Sequence, residues 1–357
     1  MDTVHSSSSP AARGLIAGPR GRRMLIEYAL ACEHARDDDS FGAALMRSTL
    51  RDDLGRRSSR RSFIGDPVRS GRRSTPPFNV SDVAKRLDAV DLLAPTPELA
   101  RLALANAAGN ARPWQEPDAI DAIAAQPAMQ PSLKRVAVAL GAASDALGWH
   151  ATAGDHTQAL VYRREPSVLP SDSSLHESER KAVDDGWSSR PPLGTPSTTG
   201  LLFDGSPAAL WFNEDDPGSD HATSVTVASP RADRVFEVGN SDDWAALCRR
   251  FPDEVTSIRS RAWTAATGRE GPWVLPDWQR VAEYYDLVHL QIGAYITSAG
   301  VAIPVAGDVS TASMIAGWNP DESFWLTPAL SPIGTPSQWL REQDQGPAWI
   351  LAYEHST

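Results

Sequence analysis

The sequence predicts an α+β protein, in which a mostly helical N-terminal part packs on a C-terminal mixed β-sheet with helices. Apolar residues recur at helical spacing through the alanine-rich segment 81–147. From about residue 155 onward, short segments of alternating apolar and polar residues replace that pattern. Tryptophan follows the same division, because eleven of the twelve tryptophans lie at or after Trp149. We therefore expect the rigid, aromatic-rich part of the molecule in the C-terminal half.

The chain is long enough for two ordinary domains or one large domain. It has 357 residues, of which 41% are hydrophobic and 22% are charged, as in folded globular proteins. We divide it into a disordered tail, a mainly helical part with an arginine-rich loop, and a tryptophan-rich α+β part: 1–18, 19–150 with the loop at 47–73, and 155–357. The two larger parts are compatible with one shared core.

Net charge, apolar runs and cysteine content limit which partners the protein is expected to bind and where in the cell it is expected to lie. A net charge of −11 gives the molecule no general attraction for nucleic acid or anionic membranes. No apolar run approaches the roughly 18 residues that span a bilayer. An apolar signal core is also missing before residues 20–23, so the sequence predicts a cytoplasmic protein. Cys32 and Cys248 lie in apolar helical patterns, which favours buried free thiols.

Helices are predicted wherever apolar residues repeat every three to four positions after a capping residue or a proline. Ser81 is a suitable N-cap, and Pro97 and Pro131 suit first helical turns. The predicted helices of the N-terminal part are 22–36, one from Ser81, one from Thr96 to near Gly109, 117–125, and one from Pro131.

The N-terminal part also contains an unusual basic block. Its arginines fall among Ser, Gly and Pro: Arg47, Arg51, Arg56, Arg57, Arg60, Arg61, Arg69, Arg72 and Arg73. This composition favours a solvated, mobile loop, and the alternative is an arm that contacts phosphates or an acidic partner surface. No aromatic residue precedes Phe63 in the block, so base stacking has little support and nucleic acid is an unlikely partner.

Between residues 158 and 238, short strands are predicted at 158–163, 200–203, 208–212, 223–228 and 234–238. A long irregular connection is predicted at 166–198, and the acidic loop 213–221 is predicted to join two of the strands as a hairpin. Asn240 or Ser241 is expected to cap one helix, and Pro252 is expected to begin the next.

The stretch 273–326 organises this half of the chain. A helix is predicted at 276–285, and at Asp286 the period changes to that of a strand with His289 opposite an aliphatic row. Residues 319–322 read Asn-Pro-Asp-Glu, which is typical of a type I turn. We expect this turn to close a hairpin that carries Trp318 and Trp325 near its tip.

No complete catalytic or cofactor motif is present. The sequence lacks Gly-x-x-x-x-Gly-Lys-Ser/Thr, Gly-x-Gly-x-x-Gly and Gly-x-Ser-x-Gly, so a P-loop, the usual dinucleotide fold and the α/β-hydrolase elbow have no support. His-x-x-x-His and Cys-x-x-Cys are missing too, so no metal is expected.

Five residues are the candidates for a site, and each has a structural alternative. His289 is a possible acid or base, or a strand histidine bonded to a neighbour. Glu237 lies in an apolar strand, where it either faces water or lines a polar pocket. Ser197 and Thr198 offer hydroxyl groups for a ligand or for turn formation, and Trp318 is suited to stacking a ring or to core packing.

Several blocks resemble an uncharacterised protein family of high-G+C bacteria, a resemblance that implies no activity: 21–25, 235–238 with 243–244, 273–277, 285–290 and 317–321. A fainter resemblance rests on Trp187-Ser188-Ser189, the junction at 285–286 and the Trp318 turn. Their order is similar to that in bacterial ADP-ribosyltransferase-like proteins, which implies a split sheet that holds NAD beside an acidic residue. Neither an Arg/Ser/Glu nor a His/Tyr/Glu set can be placed in this sequence.

Two hypotheses from different functional classes follow. The first is an NAD-using transferase or a degenerate relative of one, in which Glu237 stabilises positive charge on the ribose. His289, Ser197 and Thr198 would then contact this nucleotide ligand, and Trp318 would pack a ring. The second is a non-catalytic interaction module whose arginine block contacts an acidic protein surface. The sequence alone leaves open whether the protein is an enzyme.

Overall fold

A computed structural model describes residues 10–61, 80–155, 157–163, 186–216, 218–227, 234–305, 310–327, 330–342 and 348–352. The fold is α+β and contains an eight-stranded mixed sheet. None of the helices in these ranges combines the length and the apolar character needed to cross a membrane. The chain forms two compact units: residues up to Ala103 with Pro117–Ala143, and Leu104–Glu116 with the chain from Ser144. Residues 104–116, which fall inside the predicted helical part, therefore group with the second unit.

The N-terminal half of the chain is helical. Its helices are α1 (Pro10–Ala17), α2 (Pro19–His34), α3 (Ser40–Arg61), α4 (Val80–Ala89), α5 (Pro97–Gly109), α6 (Ala119–Ala124) and α7 (Gln130–Gly141), with a 3-10 turn at Pro127–Met129. The apolar faces that predict α4 and α7 are buried, including Leu87 and Leu133. In these helices the periodicity of the sequence correctly predicts which face is buried in the core.

Two predictions for this half are wrong. Residues 10–17 of the expected disordered tail form α1, because Ala12 and Leu15 bury their side chains in the core. The arginine block is not a loop up to Arg61, since the backbone from Ser40 onward is the helix α3. Phe41 is buried at the start of α3, and arginine is itself a good helix former. Residues 62–73 of the block lie outside the described residues.

The second unit is built on the eight-stranded sheet, whose order is β12-β11-β3-β1-β2-β10-β7-β4. The strands are β1 (Gln158–Tyr162), β2 (Ser197–Gly200), β3 (His221–Thr226), β4 (Val235–Val238), β7 (Leu287–Leu290), β10 (Glu322–Trp325), β11 (Ser337–Glu342) and β12 (Ala348–Leu351). Two small sheets pair β5 (Pro252–Glu254) with β6 (Val274–Pro276) and β8 (Ile303–Pro304) with β9 (Ala312–Ser313). Only β4 and β7 pair in parallel among the described strands, so the large sheet is mixed.

Helices connect these strands: α8 (Ala208–Trp211), α9 (Ser241–Arg250), α10 (Thr256–Thr267), α11 (Trp278–Tyr284) and α12 (Ile292–Ser298). Asn240 caps α9 as predicted, with its side-chain oxygen accepting from the backbone N–H groups of Asp242 and Asp243. Asp277 caps α11 in the same way. These two caps begin helices close to β4 and β6 and so fix where each strand ends.

Three local predictions for the second unit are wrong. Residues 208–211 form the helix α8 instead of a strand, so the acidic loop 213–221 does not close a hairpin. Their apolar run is short, and such runs do not distinguish a buried helix from a strand. Pro252 begins β5, and the next helix starts only at Thr256. The expected hairpin at the 319–322 turn is absent too, since β10 pairs with β2 and β7.

The turn before β10 also differs in type. Glu322 donates its backbone N–H to the carbonyl of Asn319 at 3.2 Å, which confirms a turn at 319–322. Asp321 has φ of 64°, and a positive φ at the third position is the signature of a type II turn, not the predicted type I. Aspartate tolerates this left-handed conformation better than most residues. The unusual backbone turns the Asp321 side chain toward β7.

Candidate functional site

Polar side chains form a row across four neighbouring strands of the large sheet. Glu237 of β4 pairs with His289 of β7. Ser323 of β10 lies between His289 and Thr198 of β2 in the next two pairings. Residues in register point to the same face of a sheet, so these four side chains share one face. The strand register therefore brings together Glu237, His289 and Thr198, three of the five predicted site residues.

His289 is the centre of this row and is fully buried. Its Nδ1 lies 2.7 Å from Oε2 of Glu237, and its Nε2 lies 3.2 Å from Oδ1 of Asp321. A carboxylate only accepts hydrogen bonds, so two carboxylate neighbours require an N–H on both ring nitrogens. The arrangement is that of an imidazolium held between two carboxylates.

The pKa of His289 follows from this arrangement. Burial favours the neutral ring, but the hydrogen bonds and charges of Asp321 and Glu237 outweigh it and raise the pKa to about 9. His289 is therefore positively charged at neutral pH. Both of its nitrogens donate, so it has no lone pair to act as a general base, and its role is to hold the two carboxylates.

Asp321 is the member of the site that the sequence analysis missed. Besides His289, it accepts from the Thr199 hydroxyl at 3.1 Å and from the Gly200 backbone N–H at 2.7 Å, both at Oδ2. It is buried, and it combines that burial with a left-handed backbone. Non-glycine residues in such conformations cluster at functional sites. The signal in the sequence is an Asp after Asn-Pro, which turn formation alone also explains.

Glu237 is the part of the cluster that reaches the surface, with 26% of its side chain exposed. Its Oε1 accepts from the backbone N–H of Ala153 at 2.9 Å, and the Gln291 amide lies 3.4 Å from its Oε2. These donors and His289 hold the carboxylate in one position. Glu237 therefore has features of both alternatives, because its carboxylate is paired with His289 in the interior and its side chain is also partly exposed to water.

Glu237 lies near the carboxyl end of the parallel pair β4 and β7. The chain continues from β4 into α9 and from β7 into α12, so both strands lead into helices at this edge. Ligands of open α/β sheets bind outside the carboxyl ends of their parallel strands. Two glycines at this edge are in close contact with neighbouring side chains. An added Cβ at Gly239 would lie 3.1 Å from the Gln291 amide oxygen, and an added Cβ at Gly293 would lie 3.0 Å from the His150 ring.

The two hydroxyl groups of the row differ, because the Thr198 hydroxyl is hydrogen-bonded within the fold and the Ser323 hydroxyl is not bonded to any residue that the structure describes. Thr198 donates to the Gln158 side chain at 2.7 Å and accepts from the Trp325 indole N–H at 2.8 Å. The Ser323 hydroxyl is buried and has no hydrogen-bond partner among the described residues. The hydrogen bonds that link His289 to β2 therefore pass through Asp321 and Thr199 and do not include Ser323.

Ser197 and Trp318 lie apart from the row. Ser197 pairs with Phe324, which alternates with Ser323, so Ser197 lies on the opposite face of the sheet. Trp318 is 1% exposed and packs among Trp244, Trp278 and Phe324. The structure thus places Trp318 in the core, which is the alternative given for it above.

The arrangement provides a fixed anionic group and no metal site. Within the described ranges, no group of His, Cys, Asp and Glu is suited to hold a metal ion. Glu237 and Asp321 share one imidazolium, so the three charged side chains carry a net negative charge at neutral pH. Such a carboxylate is suited to stabilise positive charge that develops on a ligand.

Comparisons with known proteins do not add a family to this description. No protein-family model, no curated protein and no solved structure matches the chain.

Proposed function

We propose that the chain is an NAD-using transferase, or a degenerate relative of one, in which Glu237 is the carboxylate at the reacting centre. The observation that carries the proposal is the geometry of Glu237, which is held by His289 and Ala153 and is open to solvent at the strand ends. The likeness of 187–189, 285–286 and Trp318 to ADP-ribosyltransferase-like proteins supplies the substrate class.

The chemistry requires a fixed negative charge at one point. When the bond from ribose C1′ to nicotinamide breaks, its electron pair leaves with the nicotinamide, which becomes neutral, and positive charge develops on the ribose. An acceptor nucleophile then bonds to C1′ and loses a proton. A carboxylate that is already in place stabilises the cationic stage without reorganisation. In this proposal Glu237 provides that charge and His289 is a positioning residue.

Four residues have roles here that differ from those expected from the sequence, and the first is His289, which positions Glu237 instead of contacting the ligand. Trp318 is buried and Thr198 has two partners in the fold, so neither is assigned a cofactor contact. Ser197 lies on the other face of the sheet and is not assigned one either. We place the activity in the cytoplasm of a bacterium, where NAD is available as a substrate.

Calorimetry with NAD and an assay of nicotinamide release test the proposal on the full chain. Wild-type protein should bind NAD and release nicotinamide, and Glu237→Gln should lower the release rate about 10²–10³-fold, the usual loss for an electrostatic group at a reacting centre. Glu342→Gln is the matched control, because Glu342 is an exposed strand residue of the same sheet. The absence of NAD binding, or equal rates for wild type and Glu237→Gln, would remove the proposal.

A second candidate function is a non-catalytic interaction module that contacts an acidic protein surface through its arginines. The observation that favours it is that Arg47 to Arg61 lie on one helix, α3. The sequence of this helix contains Arg56, Arg57, Arg60 and Arg61. Changing these four to Ala should abolish a salt-sensitive association with an acidic partner in a pull-down. If the amount of partner captured changes neither with salt nor with the four substitutions, this function is excluded.

A further inference from the structure

Two tryptophans of the second unit are paired at its surface. Nine of the twelve tryptophans are buried, whereas Trp114 and Trp187 are half-buried. Their ring centroids lie 4.9 Å apart with an angle of 55° between the rings, so the pair is tilted. The Arg112 guanidinium lies 5.9 Å from the Trp114 ring and is bound to Asp215 at 2.8 Å. These contacts hold the Trp114 ring in place although part of it is exposed.

Gly317 joins the Trp pair to a polar cluster. An added Cβ at Gly317 would lie 3.0 Å from the Trp187 ring and 2.9 Å from the Ser188 hydroxyl, so the Trp187 ring packs directly on this backbone. Gly317 has φ of 79°, which also disfavours a side chain. Its backbone N–H donates to Oε2 of Glu214 at 2.7 Å. Gly317 therefore contacts both the Trp187 ring and the Glu214 carboxylate.

The polar cluster consists of planar side chains. Asn319 accepts from the backbone N–H of Glu214 at 2.9 Å and donates its own backbone N–H to Oε2 of Glu322 at 2.9 Å. Burial raises the pKa of Glu322, while the charge of Arg190 and hydrogen bonds from Asn319 and Ser197 oppose that shift. Glu214, Asn319 and Arg190 are half-buried, so the cluster reaches the surface beside the Trp pair.

We infer that this surface, formed by Trp114, Trp187, Arg190, Glu214 and Asn319, binds a sugar ring. A sugar presents a face of C–H groups to an aromatic ring and hydroxyl groups around its rim. Half-exposed indole rings suit the face, because their π-systems attract the positive edge of C–H bonds. Carboxylate, amide and guanidinium groups suit the rim, because they accept or donate two hydrogen bonds in one plane.

The local charge distinguishes a neutral sugar from a phosphate. Among the charged groups here, Arg112 binds Asp215 and the charge of Arg190 acts on Glu322, while Glu214 accepts from the backbone N–H of Gly317. Arg112 is already bound to Asp215 and to the carbonyl groups of Gly109 and Ala111. A phosphate would therefore find Arg112 already occupied and would be repelled by the carboxylates of Glu214 and Asp215, whereas a neutral polyhydroxylated ring carries no such cost.

The sugar surface uses none of the residues to which the proposed transferase function assigns a role. Glu322 and Ser323 are consecutive residues of β10, so they point to opposite faces of the sheet, and Ser323 shares its face with His289. The same ring chemistry occurs in oligosaccharides and in the ribose of nucleosides. The test therefore includes both kinds of probe.

Calorimetry and tryptophan fluorescence with cellobiose, maltose, N,N′-diacetylchitobiose, ribose and adenosine test the inference on the full chain. At least one probe should bind saturably, and Trp114→Ala and Trp187→Ala should each weaken that binding about tenfold. Trp187→Phe should restore part of the affinity, because it keeps an aromatic face. Binding of the disaccharides assigns the surface to oligosaccharides, and binding of ribose and adenosine alone assigns it to nucleosides.

Tyr284→Ala is the matched control, because Tyr284 is 49% exposed and packs with Phe251, away from the Trp pair. This variant should bind the probes as the wild type does. Thermal unfolding of each variant shows whether a loss of affinity comes from a loss of fold. Failure of every probe to bind, or binding unchanged in both Trp→Ala variants, would overturn the inference.

Discussion

The two units each bury a cluster of charged side chains, and they differ in the cation at its centre. In the first unit, Arg23 is buried and binds Glu27 at 2.7 Å, Asp118 at 2.8 Å and Asp121 at 3.4 Å. In the second unit, the fully buried His289 lies between Glu237 and Asp321. In both clusters one buried cation binds more than one carboxylate, and these carboxylates would otherwise repel one another.

The two cations respond differently to pH. Burial disfavours the charge of Arg23, but Glu27, Asp118 and Asp121 outweigh it and raise its pKa above the ordinary value, so the guanidinium stays charged in all practical conditions. The imidazolium of His289 loses its proton near a pKa of about 9. The ion pairs of the first cluster therefore persist at every practical pH, whereas those of the second are lost in alkali when His289 loses its charge.

Loss of the cation from the first cluster should have the largest effect. Arg23→Met leaves Glu27 and Asp118 without their arginine partner and leaves Asp121 with Arg20 at 3.9 Å. We expect it to cost about 3–5 kcal/mol of unfolding free energy. Urea unfolding of the full chain followed by far-ultraviolet circular dichroism measures this loss. The loss should be the same from neutral to alkaline pH, because arginine does not titrate there.

Arg36→Ala is the control for this substitution. Arg36 binds Asp91 at 2.7 Å, but both side chains are largely exposed. An exposed ion pair of this kind contributes less than about 1 kcal/mol. If the Arg23→Met protein is as stable as Arg36→Ala, the ion pairs of Arg23 do not stabilise the fold as we expect.

Loss of the cation from the second cluster should depend on pH. The folded-state pKa of His289 is raised from 6.5 to about 9, so its charge stabilises the fold fully below pH 6.5, and this contribution is lost as the pH rises toward 9. The difference corresponds to a contribution on the order of 3 kcal/mol. His289→Gln should be less stable than wild type by that order at acidic to neutral pH and should approach wild type in alkali.

Tryptophan fluorescence is the measurement for this prediction, because every tryptophan of the chain lies in the second unit. Urea midpoints are compared between wild type and His289→Gln across the pH range from neutral to strongly alkaline. A constant difference between the two proteins at every pH would show that His289 does not carry the charge.

Removal of one carboxylate should have the smallest effect of the three. Asp321→Asn keeps the shape and tolerates the left-handed backbone, but it removes a charged partner of His289. We expect a loss of about 1.5 kcal/mol and a lower pKa of His289, because one of the two groups that stabilise its charge is gone. Fluorescence-monitored unfolding measures the loss, and an unchanged stability profile with pH would count against the role of Asp321.

The sequence predicted the elements whose pattern is local. The face of α4, the Asn240 cap of α9 and the change of period at Asp286 all depend on neighbouring residues, and the structure has each of them. The mixed sheet and its helices are also as predicted. Residues 208–211 show the limit, since four apolar residues are compatible with a helix or a strand until their tertiary partners are known.

The site could be predicted only in part for the same reason. Glu237 and His289 were identified individually, because a charge on an apolar strand is unusual at any position. Their 2.7 Å contact depends on the parallel pairing of β4 with β7, strands 52 residues apart, which periodicity cannot reveal. Asp321 depends in addition on a backbone with positive φ, and the turn sequence was compatible with another turn type.

Nuclear magnetic resonance of the histidine ring nitrogens tests the central claim most directly. The His289 signals are assigned by their loss in His289→Gln and followed from neutral to alkaline pH. We expect both nitrogens to carry a proton at neutral pH and the ring to titrate with a pKa of about 9. A neutral His289 ring at neutral pH, or a titration at or below the ordinary value of 6.5, would contradict this expectation.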